Sequence, residues 1–469
     1  MLPSERTSGA SATSRGGREK DSAETPRTSG DDNQVLPMMS GGSSELPGFY
    51  RLPLSKRRSM VKQLCGLYLH DLRVLSGEAG LCDEQADHMV ENALGFTSLP
   101  LGVCVNLMVN ERDRLVPMAV EEASVIAAAS HAAKLLRAGG GIRTELSAPR
   151  MIGQIQLLDV ADPQAAEAAI LAVKEELLAA ANTTDACLVQ SGGGAVDVEV
   201  RHLAPMAEDD PLDAMVVVHL IVDVRDAMGA NTVNTMCEHL APRIAELAGG
   251  RVLLRIVSNL ADQRTVTAYG TVPLGVLADK GCDSAEQLAR NIEAASVFAD
   301  RDPYRAATHN KGVMNGVDGV LLAFGQDWRA VEAGAHAFAA RQGRYTALGS
   351  WRIRDGVLQG RLELPMPVGV VVGATWAHPT CRVVRRIAGV TDAADLASLT
   401  AAVGLAQNLG ALRALAAEGI QQGHMRVHAR NVAVAAGAVG REVDTIAKEI
   451  SRARSVSLDS ARKALTSSR

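Results

Sequence analysis

The pattern of hydrophobic and polar residues separates a polar N-terminal segment from a long remainder with the periodicities of a folded protein. Residues 1–46 are rich in Ser, Gly, Arg and Asp and lack apolar periodicity, so we expect them to form a disordered tail. Residues 55–76 and 83–95 have the spacing of helices, and the apolar run from Val103 to Val109 is typical of a strand. The folded part is therefore predicted to begin near the end of the polar segment.

A buried helix is predicted at residues 121–140, because this stretch is apolar on nearly every face and ends at three glycines. Glu122 stands at its start, and two interpretations of this residue are open. It is either a first-turn acid that complements the helix dipole, or a carboxyl group whose pKa is raised by desolvation so that it donates a proton. The pattern alone favours neither.

The middle of the chain alternates strands and helices and predicts a small inserted α/β domain at residues 150–255. Its elements are, in order, a strand at 151–160, a helix at 162–182, strands at 196–203 and 215–224 and a helix within 225–247. A strand at 251–262 then leads back into the first domain. The domain lacks the Gly-x-Gly-x-x-Gly fingerprint of common dinucleotide folds. The small residues around Gly229 suit either a phosphate at the N-terminus of the second helix or plain close packing.

The segment from Arg305 to Gln342 carries candidate catalytic residues. Lys311 is expected in a Gly/Asn-rich turn, followed by a buried strand from Gly319 to Phe324 and by Asp327 at the start of a helix. A lysine and an aspartate at the two ends of one strand can meet, and the paired ammonium can stabilise an oxyanion. The alternative is a solvated turn lysine and an ordinary helix N-cap.

The C-terminal part, residues 395–469, is Ala-rich and predicted to be helical. His424 and His428 are four residues apart, a spacing that can bind zinc on a helix, but Met425 stands where metalloproteases carry a Glu. We therefore expect no metal site. His424, next to Gly423, is either a surface histidine or a proton donor that is free to move.

Composition narrows the class of protein. The 469 residues are 47% hydrophobic and carry a net charge of −5, with 3% aromatic residues, so neither nucleic acid nor an anionic membrane is expected as a partner. Seven scattered cysteines form no CxxC pair, which indicates a reducing compartment without disulfides or a zinc site. The sequence has no apolar run long enough for a transmembrane helix and no secretory signal, and its acidic N-terminal residues argue against an organelle transit peptide. We therefore expect a cytoplasmic protein.

Seven motifs resemble, in their order of occurrence, those of the class II (mostly bacterial) 3-hydroxy-3-methylglutaryl-coenzyme A reductases. They are ENALGFTSLPLG, PMAVEEASVIAAAS, DAMGANTVNTM, SNLAD, PYRAATHNKGVMNG, GQDWRAVEAGAHAFAARQGRY and GHMRVHARNVA. No single motif is decisive, but seven in sequence are very specific, and the resemblance covers roughly residues 46–469.

The resemblance implies an α/β (α+β) fold in which a large helix-rich catalytic domain surrounds a buried central helix. A small dinucleotide-binding α/β domain is inserted into it, and a mobile helical flap follows at the C-terminus. The implied boundaries are 1–46 for the tail, 47–149 and 256–415 for the large coenzyme A thioester-binding domain, 150–255 for the small NAD-binding domain and 416–469 for the flap.

The family's four catalytic residues carry over motif by motif. The Glu of E-E-x-S falls on Glu122, the Lys of H-N-K-G on Lys311, the Asp of G-x-D-W-R on Asp327 and the His of G-H-M on His424. One departure is Ala123, which stands where the family usually has Pro. It is expected to alter the start of the helix slightly and to leave the role of Glu122 intact.

Binding residues are implied in the same way. The resemblance assigns the hydroxymethylglutaryl group to Ser124, Asn259 and Arg305, the orientation of Lys311 to Asn315, and the nicotinamide cofactor to Asp226, Met228, Gly229 and Asn231.

The implied reaction interconverts 3-hydroxy-3-methylglutaryl-CoA and mevalonate plus coenzyme A by two successive hydride transfers. Lys311 would stabilise the oxyanion of the hemithioacetal, and Asp327 would keep this lysine charged and couple it to Glu122. His424 would protonate the coenzyme A thiolate, and Glu122 would protonate the aldehyde oxygen. Because the family shares its active site between subunits, a homodimer or a higher oligomer of dimers is expected.

Asp185, just past the first helix of the small domain, predicts NAD in preference to NADP. A carboxylate in such a place binds the ribose 2′-hydroxyl and repels a 2′-phosphate. The family's NAD-using members resemble this chain at that position. The alternative is that Asp185 is an ordinary turn residue.

Two other functions stay open on the sequence. One is an NAD-dependent dehydrogenase of another small hydroxy acid, which needs no coenzyme A site. The other is a non-catalytic scaffold of the same fold, against which the intact set Glu122, Lys311, Asp327 and His424 speaks.

Overall fold

The computed structural model describes residues 42–122, 124–210, 212, 214–278, 284–371, 374–417, 429–453 and 455–468, which belong to one compact unit. Most of the predicted tail lies outside these residues, as do Ala123 and His424. Within the described part of the chain, no helix combines the length and the apolar character needed to cross a membrane.

The described strands are β1 (Leu101–Val109), β2 (Arg112–Ala119), β3 (Ile142–Leu146), β4 (Arg150–Leu158), β5 (Gly194–Leu203), β6 (Met215–Asp223), β7 (Arg251–Val257), β8 (Thr265–Pro273), β9 (Gly349–Arg354) and β10 (Val357–Pro365). They form a six-stranded sheet in the order β2-β1-β3-β8-β10-β9 and a four-stranded sheet in the order β5-β6-β4-β7. All neighbouring described strands are antiparallel except β1 and β3.

The described helices that surround the two sheets are α1 (Leu54–Cys65), α2 (Leu69–Ser76), α3 (Asp83–Met89), α4 (Val125–Arg137), α5 (Pro163–Ala172), α6 (Lys174–Asn182), α7 (Ala186–Gln190), α8 (Ala230–Ala248), α9 (Ala285–Arg301), α10 (Pro303–Ala323), α11 (Trp328–Ala339), α12 (Ala374–Ala377), α13 (Pro379–Ala388), α14 (Ala393–Ala416), α15 (Arg441–Arg452) and α16 (Leu458–Ser468).

The core of the larger layer is built on α4, α10 and α14, which pack against one another. Helix α14 is apolar on nearly every face and buried over most of its length, so it belongs in the interior. Glycines let α10 approach its neighbours closely. A Cβ at Gly316 would lie 2.7 Å from the Gln407 Cβ of α14, and one at Gly319 would lie 2.9 Å from Val120. Helix α10 is therefore fixed between α14 and the end of β2.

The four-stranded sheet has a core of its own, covered on one face by helices α5, α6 and α8. Strand β6 alternates its apolar side chains between two buried faces, which explains its continuous hydrophobic run. Helix α8 crosses β4 at Gly153, where a Cβ would collide with the sulfur of Cys237. Helices α15 and α16 enclose a third, small core that includes Ile446 and Leu465.

The prediction of a strand from Gly319 to Phe324 is wrong. These residues form the end of α10, which begins at Pro303 behind the N-cap Asp302, so Lys311 lies on a helix and not in a turn. The apolar run is continuous because α10 is buried by neighbours on several sides. A short apolar run of this kind does not distinguish a buried strand from a buried helical turn.

The start of the buried helix also differs from the prediction. Helix α4 begins at Val125, with Ser124 as its N-cap, so Glu122 precedes the helix and is not a first-turn acid. Four other predicted elements differ in extent. The helical stretches at 55–76 and 162–182 are each divided into two helices, and the elements at 83–95 and 251–262 end at Met89 and Val257.

Candidate active site

Glu122 and Lys311 form an ion pair just before helix α4. The Lys311 Nζ lies 3.7 Å from the Glu122 Oε2, and the Ser124 hydroxyl donates a hydrogen bond of 2.6 Å to Glu122 Oε1. We call these three residues the lysine cluster. The structure thus brings together an amine, a carboxylate and a hydroxyl that the sequence had singled out separately.

The lysine cluster is open to solvent on one side. The Lys311 side chain is 66% exposed and that of Glu122 is 31% exposed. Asn315 follows Lys311 by one helical turn, so both side chains project from the same side of α10. The ammonium group is therefore accessible to a ligand.

Arg305 projects from the first turn of α10 and is half-buried. One of its terminal nitrogens, Nη1, is buried without a hydrogen-bond partner among the described residues. Burial lowers the pKa of the guanidinium group, because it removes water from a charge that no carboxylate among the described residues compensates. A buried and unsatisfied arginine donor fits an anionic ligand such as a carboxylate.

Asp327 does not contact Lys311 within the described residues of one chain. Its carboxylate caps α11 by accepting a hydrogen bond of 3.1 Å from the Ala330 N–H, and Arg329 lies 3.8 Å away. Lys311 is separated from Ala323, at the end of α10, by about 18 Å along the helix axis, and Asp327 follows Ala323. The prediction that the two residues meet across a short strand is therefore wrong.

Asp327 lies instead near the loop at residues 226–229, and Gly369 links the two segments. The Gly369 N–H donates a hydrogen bond of 2.9 Å to Oε1 of Gln326, the residue before Asp327. On its other side, a Cβ at Gly369 would collide with the backbone nitrogen of Met228. The loop and the start of α11 are therefore held against one connecting segment.

Asn259 approaches the same helix. A Cβ at Gly334 of α11 would lie 2.6 Å from the Asn259 carbonyl oxygen, so the segment after β7 packs directly on α11. We call Asp327, Asn259 and loop 226–229 the aspartate cluster. Two groups of predicted site residues, the lysine cluster and the aspartate cluster, thus lie at separate places in one chain.

Arg264 holds loop 226–229 in place. Its guanidinium group donates hydrogen bonds to the carbonyl oxygens of Ala227 (3.0 Å), Met228 (3.1 Å) and Val368 (2.6 Å). Burial lowers its pKa to about 10, so the group remains charged at neutral pH. Sequence reasoning missed Arg264, because the only signal was a charged residue shortly after the SNLAD motif.

The loop leads into the N-terminus of α8. Gly229 is the N-cap with φ 103°, and a Cβ there would lie 2.7 Å from Val224, so only glycine fits. The Asp226 Oδ1 accepts a hydrogen bond of 2.9 Å from the Ala393 N–H, and Asn231 is exposed in the first turn. The first turn of this 19-residue helix offers free backbone N–H groups to an anion.

Asp185 caps one helix and faces another. Its Oδ1 accepts a hydrogen bond of 2.9 Å from the Leu188 N–H of α7, and its Oδ2 accepts one of 3.0 Å from the Thr232 hydroxyl. Because Thr232 belongs to the first turn of α8, the carboxylate stands next to the N-terminus of α8. A carboxylate has acceptor capacity beyond these two hydrogen bonds.

A cavity of about 1320 Å³ lies close to the lysine cluster. Its wall includes Ile126 and Ala127, in the first turn of α4, and Pro100 and Leu101 from the motif ENALGFTSLPLG. Basic side chains line it elsewhere, namely Arg57, Arg58 and Lys134. An apolar wall with basic groups suits an elongated ligand with an apolar arm and an anionic end.

Comparison with known proteins gives a family for these features. The family model described as hydroxymethylglutaryl-coenzyme A reductase matches residues 53–429. The 3-hydroxy-3-methylglutaryl-coenzyme A reductase of Archaeoglobus fulgidus is 46% identical over 424 residues, which cover 90% of this chain and 94% of the relative. A probable 3-hydroxy-3-methylglutaryl-coenzyme A reductase of Borreliella burgdorferi is 33% identical over 355 residues, which cover 74% of this chain and 77% of the relative.

Two solved structures agree with the fold. The 3-hydroxy-3-methylglutaryl-coenzyme A reductase from Streptococcus pneumoniae has a TM-score of 0.76 and 38% identity, covering 91% of this chain and 100% of that chain. The class II enzyme from the same organism bound to NADPH, in open conformations, has a TM-score of 0.75 and 39% identity, covering 79% and 99%. The predicted α/β fold of the class II type is confirmed.

Proposed function

The chain belongs to the hydroxymethylglutaryl-coenzyme A reductase family and interconverts 3-hydroxy-3-methylglutaryl-CoA and mevalonate plus coenzyme A with a nicotinamide cofactor, and we propose that the lysine and aspartate clusters form its catalytic site. The observation that carries this proposal is the Lys311–Glu122 ion pair next to Ser124. The enzyme is an NAD(P)-dependent oxidoreductase of mevalonate metabolism. The comparisons do not favour a dehydrogenase of another hydroxy acid or a scaffold.

Lys311 and Glu122 supply charge and a proton. The nicotinamide cofactor, when bound, supplies or accepts one hydride in each of the two steps. The Lys311 ammonium group stabilises the carbonyl oxygen of the thioester as it becomes negative. Glu122, oriented by the Ser124 hydroxyl, gives a proton to the aldehyde oxygen in one direction and takes it back in the other.

The hydroxymethylglutaryl group is bound through its carboxylate by Arg305, whose buried Nη1 has no partner among the described residues. Ser124 and Asn259 complete this site, and Asn315 orients Lys311 from the next turn of α10. An arginine donor held in a partly buried place strengthens its hydrogen bond to a carboxylate.

The coenzyme A moiety occupies the cavity beside α4. The apolar wall at Leu101 and Ile126 suits the pantetheine arm, and Arg57, Arg58 and Lys134 suit the phosphates. His424 protonates the departing thiolate, on the strength of its GHM motif alone. Residues 416–469 form the flap that carries His424, and residues 47–149 and 256–415 form the large domain.

The small domain at residues 150–255 binds the cofactor. Loop 226–229 and the N-terminus of α8 offer backbone N–H groups to its phosphates. Asp185 stands beside that N-terminus, where its charge repels a 2′-phosphate and its free acceptor capacity suits the ribose 2′-hydroxyl of NAD. We infer a preference for NAD over NADP from this position.

A second copy of the chain supplies Asp327 to the lysine cluster. Within one chain α10 holds the two residues apart, and the lysine cluster is open to solvent. The segment ENALGFTSLPLG exposes large apolar side chains, with Leu94 fully exposed and Phe96 55% exposed, and such an apolar stretch suits a protein interface. The functional unit is therefore a homodimer or an oligomer of dimers.

The compartment proposed for the enzyme is the cytoplasm. Four thiols, those of Cys65, Cys104, Cys237 and Cys381, are free and buried. Burial raises the pKa of each to about 12, so these side chains act as apolar packing groups. Cell fractionation with an antibody to the chain tests this location.

A coupled absorbance assay tests the function. Purified full-length protein is mixed with mevalonate, coenzyme A and either NAD or NADP, and reduction of the cofactor is followed by its absorbance. Coenzyme A-dependent reduction of NAD is expected, at a higher kcat/KM than with NADP. Reduction of two cofactor molecules per mevalonate without coenzyme A would contradict the thioester chemistry, and reduction of NADP alone would contradict the role of Asp185.

The variant Asp185→Asn separates the charge of Asp185 from its capping role. An Asn side chain still accepts the hydrogen bond from Leu188, so α7 stays capped. We expect the kcat/KM ratio of NAD to NADP to fall by about tenfold. Thr232→Val, which removes only the hydroxyl that donates to Asp185, is the matched control and should change this ratio much less.

A further inference from the structure

A continuous chain of polar side chains joins α10 to α11 and returns to α10. Asp318 of α10 is hydrogen-bonded to Glu332 of α11, and Glu332 Oε2 lies 2.6 Å from His336 Nε2. The His336 Nδ1 is 2.7 Å from the hydroxyl of Tyr345, which accepts a hydrogen bond of 2.9 Å from the Asn310 amide. Asp318 and Asn310, the two ends of this series of side chains, thus both lie on the helix that carries Lys311.

Asp318 has an unusual environment for a carboxyl group. It follows Lys311 by two helical turns and Asn315 by one, so the three side chains share one side of α10. Its Oδ1 is buried without a hydrogen-bond partner among the described residues. Burial and the neighbouring Glu332 raise its pKa to about 8, so Asp318 is protonated at neutral pH.

Glu332 is the ionised member of the pair. Its hydrogen bond with His336 holds the pKa of Glu332 below its usual value, and the same contact raises the pKa of His336. The shared proton therefore belongs to Asp318, which donates it to Glu332. Carboxyl–carboxylate hydrogen bonds of this kind are short and charge-assisted.

We propose that Asp318 is a positioning residue for Lys311, because its buried carboxyl group connects α10 to α11 through its contact with Glu332. The tie fixes the side of α10 that presents Lys311 and Asn315 relative to the helix that begins at Asp327. This inference rests on the proposed catalytic role of Lys311. It goes beyond that role because neither Asp318 nor Glu332 contacts the lysine cluster directly among the described residues.

The tie depends on one proton, so it breaks at alkaline pH. When Asp318 ionises, two carboxylates face each other across the helices, and their repulsion pushes α11 from α10. The titratable groups that face the pair are His336 of α11 and, after it, Tyr345, whose pKa is raised by burial. Neither replaces the lost proton on Asp318, because His336 is already bonded to Glu332.

The test compares the pH dependence of kcat and KM for wild type, Asp318→Asn and Asp318→Ala, with mevalonate, coenzyme A and NAD as substrates. Asp318→Asn keeps a donor to Glu332 that does not titrate, so it should retain kcat near neutral pH and lose less activity above pH 8 than wild type. Asp318→Ala should lower kcat by about tenfold or more at neutral pH, with KM for mevalonate nearly unchanged.

The control variant Asp355→Asn changes a carboxylate in the exposed turn between β9 and β10 and should match wild type at every pH. The proposal is overturned if Asp318→Asn follows the wild-type pH profile, or if Asp318→Ala keeps the wild-type kcat. If Asp318→Ala fails to fold, the profile of Asp318→Asn still decides. Lys311→Ala distinguishes the catalytic role of Lys311 from the positioning role of Asp318, since an active Lys311→Ala variant would refute the proposed catalytic site.

Discussion

Single residues of the lysine cluster are arranged for chemistry more than for stability. The 3.7 Å separation between Lys311 and Glu122, with the lysine 66% exposed, describes a loose surface ion pair, and such pairs contribute little to folding. A loose pair costs little to rearrange when a substrate oxygen enters. The ammonium is therefore available to a ligand, while Ser124 keeps the carboxylate oriented.

Replacement of Lys311 should affect turnover and leave the fold intact. Lys311→Met removes the charge but keeps an unbranched side chain, and we expect kcat to fall by about 10²- to 10³-fold, as for the loss of an oxyanion donor. Lys311→Arg keeps the charge in a planar fork that cannot occupy the same point, so it should restore little of the rate. Steady-state kinetics and a thermal melt check both expectations, and a Met variant with wild-type kcat would exclude the role.

A different residue, Asp113, illustrates a carboxylate used for stability. Its burial opposes ionisation, but hydrogen bonds from Arg137 and Ser44 outweigh that effect and hold its pKa at about 2. A depressed pKa in the folded state stabilises the protein above the ordinary pKa of Asp, and this contribution is lost as the pH falls towards 2.

We therefore expect Asp113→Asn to lower the free energy of unfolding by about 1 kcal/mol at pH 7, a figure reduced for solvent screening of a partly exposed group. The difference from wild type should shrink as the pH falls from about 4 to about 2. Urea denaturation at several pH values measures it. A difference that stayed constant with pH would show that packing, and not ionisation, is responsible.

Among the elements, the correctly predicted ones have local signals, and α10 and β8, which are defined by distant partners, were not predicted. The sequence was sufficient for α4, α8 and the strands of the small sheet, because each has its own periodicity or a cap. It was not sufficient for α10, whose burial by α14 and β2 erases the helical pattern. Strand β8 was missed because its partners β3 and β10 are distant in sequence. The hairpin of β9 and β10 has a local signal, Asp355 and Gly356 in its turn, which was overlooked.

The same limit applies to the site. Glu122 and Lys311 were found by motif, and the structure brings them together. Arg264 and the pair Asp318–Glu332 escaped detection, since a buried arginine or a shared proton depends on neighbours that are remote in sequence. Their physical signature is burial, which one sequence does not record.

The packing of α8 on the four-stranded sheet can be tested by a substitution at Gly153. At Gly153 a larger side chain would collide with Cys237 and approach Val233 at 2.7 Å. We expect Gly153→Val to push α8 from β4, to destabilise the chain by about 1–3 kcal/mol, and to raise KM for NAD by about tenfold with KM for mevalonate nearly unchanged.

Gly275→Ala is the control for this variant, because a Cβ there meets open space. Differential scanning fluorimetry and kinetics with each substrate varied in turn provide the readouts. Equal changes in KM for both substrates would indicate general misfolding. An unchanged KM for NAD in a destabilised variant would separate α8 from the cofactor site.

For the whole molecule, the separation of the two clusters argues for a site built by two chains. Glu332 meets Asp318 at a point between Lys311 and the end of α10, so α11 runs back along α10 and Asp327 stays at the far end. One chain therefore presents the lysine cluster at one place and the aspartate cluster at another. In a dimer with two-fold symmetry, the lysine cluster of each chain can lie against the aspartate cluster of the other, so the complete site forms twice.

Mixing two inactive variants tests this arrangement. Lys311→Ala and Asp327→Ala each disable both sites of their own dimers. After subunit exchange of an equal mixture, half of the dimers are mixed, and in each mixed dimer one site carries both wild-type residues, so about a quarter of the wild-type activity should return. If Lys311 and Asp327 of the same chain worked together, no site in any mixed dimer would be intact. Recovery near a quarter would then be impossible, and the mixture would stay as inactive as its components.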